Sequence, residues 1–362
     1  MLFARSTLSE STSFDFLRHL LRCLGLMELL TFNYFSIMKP ILVTGGAGYI
    51  GSQTCKELNR CGYLPVTVDN LVNGHQWAVK WGPFINADLS DTDKLLSVFK
   101  QYKPLAVIHF AAFAYVGESI IDPGKYYLNN VANTINLLSV MKESGCNRVI
   151  FSSSCATYGN PEKPVIDESH RQDPVNPYGR SKLMVEKILG DFGKAYGFES
   201  VILRYFNASG ADPEGDIGEV HDPETHLIPL ALSAATGGEP LKIFGTDYNT
   251  PDGTAIRDFI HVWDLSRAHC LALEYLLDGC KGDSFNLGTG SGNSVLEVIR
   301  AVERVSGAEV KKIFTERRPG DPDMLVASAE KAHNKLGWKC KFINLDSIIE
   351  TAWKWHLKNL HQ

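Results

Sequence analysis

Basic clusters are missing from this chain of 362 residues: its 36 lysines and arginines are scattered among 41 acidic residues, for a net charge of −5. Without a basic patch there is no electrostatic footprint for nucleic acid, and no nucleic-acid partner is expected. Cysteine is thinly spread. The eight, at Cys23, Cys55, Cys61, Cys146, Cys155, Cys270, Cys280 and Cys340, include no C-x-x-C pair and no Cys/His set with zinc spacing. Neither a disulfide scaffold nor a metal is therefore expected, and the thiols read as reduced, mostly small core residues of a cytoplasmic protein. Long apolar runs are also lacking. The stretch around Leu20–Leu30 is interrupted by Arg22 and Glu28, is too short to span a bilayer, and precedes no small-residue cleavage site. No membrane partner is expected. Internal repeats and low-complexity segments are absent as well, which excludes solenoid and disordered classes.

What is present is an ordinary globular composition, 44% hydrophobic and 21% charged, in a length that holds roughly two domains of about 150 residues. Residues 1–38 do not match the rest of the chain. They read as a dispensable leader or an upstream start, since Glu10, Asp15 and Glu28 argue against an amphipathic organelle address. From Pro40 the pattern alternates. Apolar runs at Ile41–Thr44, Pro65–Val68, Phe84–Asn86, Ala106–Phe110, Arg148–Ser152 and Ser200–Tyr205 are separated by helical spacing, as at Asp91–Gln101, Tyr126–Lys142 and Pro177–Tyr196. Continuous Val/Ile runs divided by helices predict parallel strands covered on both faces. The expected fold class is α/β, a doubly wound parallel sheet of Rossmann type with a smaller mixed α/β substrate lobe. The boundaries drawn are 39–206 for the dinucleotide domain, with contributions from about 258–290, and 207–362 for the lobe, where Gly, Pro and Asp become frequent.

Between the first strand and its helix stands Thr44-Gly-Gly-Ala-Gly-Tyr-Ile-Gly51. Gly45 allows a tight turn, Gly48 a close backbone approach to a pyrophosphate, and Gly51 close helix packing, with the phosphate charge at the helix N-terminus. Asp69 ends the second strand, where a carboxylate holds a ribose 2′-hydroxyl and repels a 2′-phosphate. NAD is thereby favoured over NADP. Asp88, after the third strand, is placed to accept from the adenine amino group.

Ser152-Ser-Ser154 ends the fifth strand, and Pro177-Tyr-Gly-Arg-Ser-Lys182 opens the next helix. Tyr178 and Lys182 are four apart and share a helical face. An ammonium beside a phenol lowers its pKa, so the pair predicts a tyrosine base usable near neutrality.

In order along the chain, Val43–Ser52, Val68-Asp-Asn-Leu71, Ile108-His-Phe-Ala-Ala112, Val116-Gly-Glu-Ser119, Phe151–Gly159, Pro177–Glu186, Leu203-Arg-Tyr-Phe-Asn207, Asp252–Asp264, Phe285-Asn-Leu-Gly288 and Arg317–Asp321 resemble the extended short-chain dehydrogenase/reductase family, and within it the 4-epimerases of UDP-hexoses. The resemblance runs from about Met38 to about Trp355. It implies tightly bound NAD, interconversion of UDP-galactose and UDP-glucose through a 4-keto sugar, and a homodimer. By match it assigns Ser154, Tyr178 and Lys182 to catalysis. The same match lines the NAD site with Gly45, Gly48, Tyr49, Ile50, Gly51, Asp69, Asn70, Asp88, Leu89, Phe110, Ala111, Asn129 and Phe206, together with the catalytic set. Substrate would meet Ser154, Tyr178, Asn207, Leu227, Phe244, Arg257, Arg318 and Asp321, with Leu325 facing the hexose 2-substituent. Two departures stand out: Ala114 where many relatives carry Lys, and the order Ser154-Cys155-Ala156-Thr157. The alternatives are a 4-epimerase of UDP-N-acetylhexosamine, UDP-pentose or UDP-uronate, a nucleotide-sugar 4,6-dehydratase, and a non-catalytic NAD sensor. Dehydratases place Thr-Asp-Glu where this chain has Ser153-Ser154-Cys155. A sensor would be free to lose Ser154, Tyr178 and Lys182, all of which are present.

Overall fold

Ile41, Leu42 and Val43 have no solvent exposure, as a strand covered on both faces requires. They lie in β1 (Lys39–Thr44) of a computed structural model that describes residues 38–318 and 321–360. The expected leader, but for Met38, lies outside the described residues. The other strands of the main sheet are β2 (Tyr63–Asp69), β3 (Phe84–Asn86), β4 (Ala106–His109), β5 (Arg148–Ser154), β6 (Glu199–Tyr205) and β7 (Asp283–Leu287). Their spatial order is β7-β6-β5-β4-β1-β2-β3, all parallel. The strand order reverses between β1 and β4. A crevice at the carboxyl ends of the strands opens at such a point.

Helices cover the sheet: α1 (Tyr49–Arg60), α2 (Thr92–Tyr102), α3 (Asn133–Glu143), α4 (Pro177–Tyr196) and α5 (Val262–Leu277). Local chemistry sets their ends. The Asp91 carboxylate accepts from Lys94 N to start α2, and Asn176 caps α4 at Gly179 N with Pro177 in the first turn. Gly197, at φ 72°, ends α4 in the left-handed conformation that glycine adopts without strain. The core joins Ile41, Val43, Ile108, Ile150, Leu203 and Phe285 of the sheet to Leu58 of α1 and to Leu265, Leu273 and Leu276 of α5.

The expected helix over Tyr126–Lys142 is not continuous. A short turn at Pro123–Tyr126 passes into a π-helical segment, Tyr127–Ala132, before α3 begins. Such widened turns mark functional positions, and this one carries Asn129 and Asn130. Helical periodicity alone does not reveal an inserted residue.

A smaller sheet joins Val165–Ile166, from before β6, to Ile256–His261, Gly292–Ser294 and Met324–Ala327 from after it, with Asn207–Ser209 beside Ile256–His261. Leu241–Phe244 and Lys312–Thr315 pair separately. The helices Leu227–Ala235, Val295–Ser306 and Leu345–Leu360 pack into a second apolar cluster. The strands Ile256–His261 and Met324–Ala327 went unread in the sequence. Both are short, and Arg257, Asp258 and His261 break any apolar run in the first.

Candidate active site

The glycine turn sits at the carboxyl end of β1, on the crevice. Gly45 has φ +72°, and a Cβ there would lie 2.6 Å from Ala111 N; a Cβ on Gly51 would lie 2.1 Å from Gly45 O. Both positions therefore need glycine. No side chain caps the N-terminus of α1, and no acidic residue stands in its first turn. Free N–H groups and the positive end of the helix dipole suit a phosphate. The Asp69 carboxylate, largely buried, accepts from Ala47 N at 3.0 Å and Leu71 N at 2.8 Å. Two of its about four acceptor sites are thereby used, leaving capacity for a ribose hydroxyl. Burial raises its pKa, with those backbone bonds opposing. Asp88 accepts from Ser90 and from Asn70 Nδ2 at 2.7 Å. Its pKa is lowered by these bonds against the opposing effect of burial.

One cleft is lined by Gly45, Gly48, Tyr49, Ile50, Gly51, Asp69, Asn70, Asp88, Leu89, Phe110, Ala111, Asn129, Tyr178 and Lys182, together with Ala114. The glycine turn and the Tyr178–Lys182 pair, distant in sequence, thus meet in one cavity. These donors and the uncapped helix end fit a dinucleotide. Phe206 and Ser154 do not line the cleft. Phe206 is buried with Tyr158, Ile166 and Ala327. Ser154 is nearly buried, and its hydroxyl accepts from Ala156 N at 3.2 Å to start a 3₁₀ turn.

The spacing predicts a phenol lowered by its ammonium neighbour, and the structure shows the reverse. Burial pushes Tyr178 up to about 12, opposed by a hydrogen bond to Ser154. Burial pushes Lys182, only 4% exposed, down to about 7, opposed by the Glu186 carboxylate. Lys182 Nζ lies 5.9 Å from the centre of the Tyr178 ring and donates to Ser152 O at 2.7 Å rather than to the phenol. Desolvation of both groups outweighs their attraction.

Several supporting residues escaped the reading of the sequence. Asn130 Oδ1 accepts from Phe113 N, while its Nδ2 donates to Phe113 O and to Ser181 Oγ. It ties the loop after β4 to the helix carrying Tyr178. His109 bridges Thr44 and Thr134 at 2.6 and 2.8 Å, and burial pushes its pKa down to about 3. Glu186, one turn beyond Lys182, pairs with Arg204. At the cleft mouth Glu219, His221, Glu224 and His226 crowd together. The signal for this last group was a Glu-x-His-x-x-Glu-x-His run of mixed donors, outside a search confined to Cys/His spacing.

Apart from Ser154 and Tyr178, the expected substrate residues lie in the smaller lobe and do not line the cleft. Arg257 is ion-paired with Asp321, which also accepts from Tyr248 OH at 3.2 Å. The Arg318 guanidinium stacks 3.8 Å above the centre of Phe244. Leu325 is paired in register with Arg257 and packs, half-buried, on the cluster containing Phe206. Asn207 pairs in register with Phe259, and Leu227 opens its helix.

Known proteins share this fold. A UDP-glucose 4-epimerase of Rhizobium meliloti is 52% identical over 317 residues, covering 87% of this chain and 96% of that protein. The crystal structure of UDP-glucose 4-epimerase from Brucella ovis in complex with NAD matches with a TM-score of 0.86 at 52% identity, over 87% of this chain and 97% of that one. That of the Stenotrophomonas maltophila enzyme, with bound NAD and formylated UDP-arabinopyranose, matches with a TM-score of 0.86 at 38% identity, over 90% and 99%. Residues 41–288, from the first buried strand past the last strand of the main sheet, match the NAD dependent epimerase/dehydratase family, and the chain belongs to that family.

Proposed function

We propose that this chain interconverts UDP-galactose and UDP-glucose by reversible oxidation at C4. The observation that carries this reading is the single cleft in which the glycine turn, Asp69, Tyr178 and Lys182 meet. Bound NAD supplies reversible hydride acceptance and, in its oxidised form, a positive charge that favours phenolate. The chain's residues supply the rest. The turn and the N-terminus of α1 hold the pyrophosphate, and Asp69 takes the adenosine ribose. Tyr178 removes the proton of the sugar 4-hydroxyl and later returns it. Ser154, its hydrogen-bond neighbour, steadies the 4-oxygen and relays the proton. Lys182, whose ammonium nitrogen stands 5.9 Å from the centre of the Tyr178 ring, holds the nicotinamide ribose.

Arg257, Arg318, Asp321, Phe244, Asn207 and Leu227 anchor the uridine diphosphate. Binding energy placed on that remote group leaves the hexose ring free to present either face of C4. The absence of a carboxylate at Ser153-Ser154-Cys155 speaks against a dehydratase, which needs an acid to expel the 6-hydroxyl.

The chain acts as a cytoplasmic homodimer. Ile120 is 64% exposed, Ile121 86% and Leu128 69%, on neighbouring segments of one region, and Ile135 and Met184 are exposed on α3 and α4. Apolar surface of this kind suits a self-complementary interface. No helix among the described residues is long and apolar enough to cross a membrane. Purified protein incubated with UDP-galactose and no added NAD should form UDP-glucose without free NADH. Failure to do so, or stoichiometric NADH, would overturn the reading. Light scattering should return the mass of two chains.

A further inference from the structure

Two clusters of acidic or mixed donors lie outside the catalytic set, and they differ in what balances them. Asp212, Glu214 and Asp216 surround Lys56 Nζ at 2.6–2.8 Å, so that group holds its own cation. Glu219, His221, Glu224 and His226 contain no lysine or arginine. Four donor atoms, one from each, lie within 4.8 Å of one another. His226 Nδ1 is 2.9 Å from a carboxylate oxygen of Glu219 and 2.9 Å from one of Glu224. His221 Nδ1 is 3.3 and 3.6 Å from oxygens of the same two residues.

Ligands at about 2.0–2.1 Å from a tetrahedral zinc stand about 3.4 Å apart; the nitrogen–oxygen separations here run from 2.9 to 3.6 Å, His226 facing one oxygen of Glu224 and His221 the other. His221 Nδ1 is closed to solvent yet finds no hydrogen-bond partner among the described residues. That nitrogen faces two carboxylates at 3.3 and 3.6 Å without hydrogen-bond geometry to either, and His226 Nδ1 lies against the same two residues, so the four groups converge as ligands around one cation would. Two carboxylates also cancel the charge of a dication.

The surrounding loop is braced. His75 Nε2 contacts Val220 O at 3.0 Å, Trp355 Nε1 donates to Glu219 O at 3.0 Å, and His75 N donates to Ala47 O in the glycine turn. Glu224 Oε1 accepts from Thr225 N and His226 N, which fixes that carboxylate.

We infer that Glu219, His221, Glu224 and His226 bind one zinc ion in a closed, four-ligand structural site. Imidazole and carboxylate donors in this number suit zinc. The ion fixes the loop that leads into Leu227, at the mouth of the cleft, and takes no part in the hydride chemistry. This inference rests on the cluster alone and stands or falls independently of the epimerase reading.

The test uses the full chain, stripped with a chelator, desalted and titrated with zinc chloride. Elemental analysis should find one zinc per chain. Cobalt in its place should give the intense visible absorption of a tetrahedral site, and zinc should raise the melting temperature. In His221→Ala/Glu224→Ala, zinc affinity should fall by more than the about 10–100-fold that loss of an outer partner costs, and the cobalt band should vanish. Asp216→Asn, in the lysine-filled cluster, should keep both. The inference is overturned if the parent chain retains no zinc at micromolar free metal, if cobalt shows only the weak bands of an octahedral site, or if the double variant binds as before. The first two readouts need no variant, so misfolding of the mutant cannot rescue the idea.

Discussion

Arg204 on β6 donates to both carboxylate oxygens of Glu186 on α4, through Nε at 3.0 Å and Nη2 at 2.7 Å, with both side chains buried. Ser153 Oγ adds a bond to the same carboxylate at 2.5 Å, and Arg204 Nη1 donates to Tyr158 OH at 3.0 Å. The helix that carries Tyr178 and Lys182 is thus keyed to two strands of the sheet by a forked, charge-assisted contact. Removing one partner leaves an uncompensated buried charge, at a cost of about 3–5 kcal/mol. Glu186→Leu should lose stability on that scale in urea unfolding, and Glu186→Leu/Arg204→Leu should recover much of it. Strictly additive losses would show that the pair is not coupled.

Tyr178→Phe should keep the fold and dinucleotide binding while turnover falls by about 10²–10⁴-fold, the value of a positioned general base. Steady-state rates beside a count of bound NAD per chain separate the two effects. Near-parental turnover would remove Tyr178 from its role.

Asp69→Ala should weaken NAD and relax discrimination against NADP, because a carboxylate repels a 2′-phosphate. The structure adds a second expectation. Ala47 N and Leu71 N lose their acceptor, so the melting temperature should fall as well, by an amount that Asp69→Asn partly restores. Dissociation constants for both dinucleotides test the first expectation and calorimetry the second.

Burial pushes His109 down to about 3, His261 to about 3 and His269 to about 4, so all three stay neutral in the folded protein. Unfolded histidine titrates near 6.5. Below that pH the unfolded chain binds more protons, and stability falls as pH falls from about 6.5 toward 4. The unfolding free energy should decline across this range, with these three histidines together contributing a slope that approaches three protons. His269→Met should reduce the slope by one, and an unchanged slope would mean that His269 titrates normally.

Leu325 packs half-buried on Phe206, Tyr158, Ile166 and Ala327. If it also faces the hexose 2-substituent, crowding an N-acetyl group should cost about 1–3 kcal/mol. The kcat/KM values should then favour UDP-glucose and UDP-galactose over their N-acetylamino counterparts, and Leu325→Ser should narrow the gap. Equal values for both pairs in the parent would defeat the assignment.

The parts of the site that are local in the chain were legible in the sequence. Gly45, Gly48 and Gly51 answer to one turn, Tyr178 and Lys182 to one helical face, and the buried strands to unbroken Val/Ile runs. What depends on depth was not. The pKa of Tyr178 moved the other way because the spacing gives proximity to Lys182 but says nothing of burial, and burial dominates. Asn130 was invisible because a π-helical turn shifts its phase. Nothing in the chain pairs Glu186 with Arg204 until β6 and α4 are stacked, and the strand Ile256–His261 was hidden by polar residues, Asp258 and His261, that turn inward.

The last strand of the main sheet is made late. β7 (Asp283–Leu287) pairs with Val201–Tyr205 of β6, yet residues 206–282 separate the two strands in the chain. During synthesis β6 therefore emerges with a bare edge, and the ribosome must add residues 206–282 before its neighbour exists. Such an edge invites pairing with other nascent chains. A ribosomal pause inside that window would prolong the exposure of the bare edge, whereas the same pause after Leu287 would find the edge already covered.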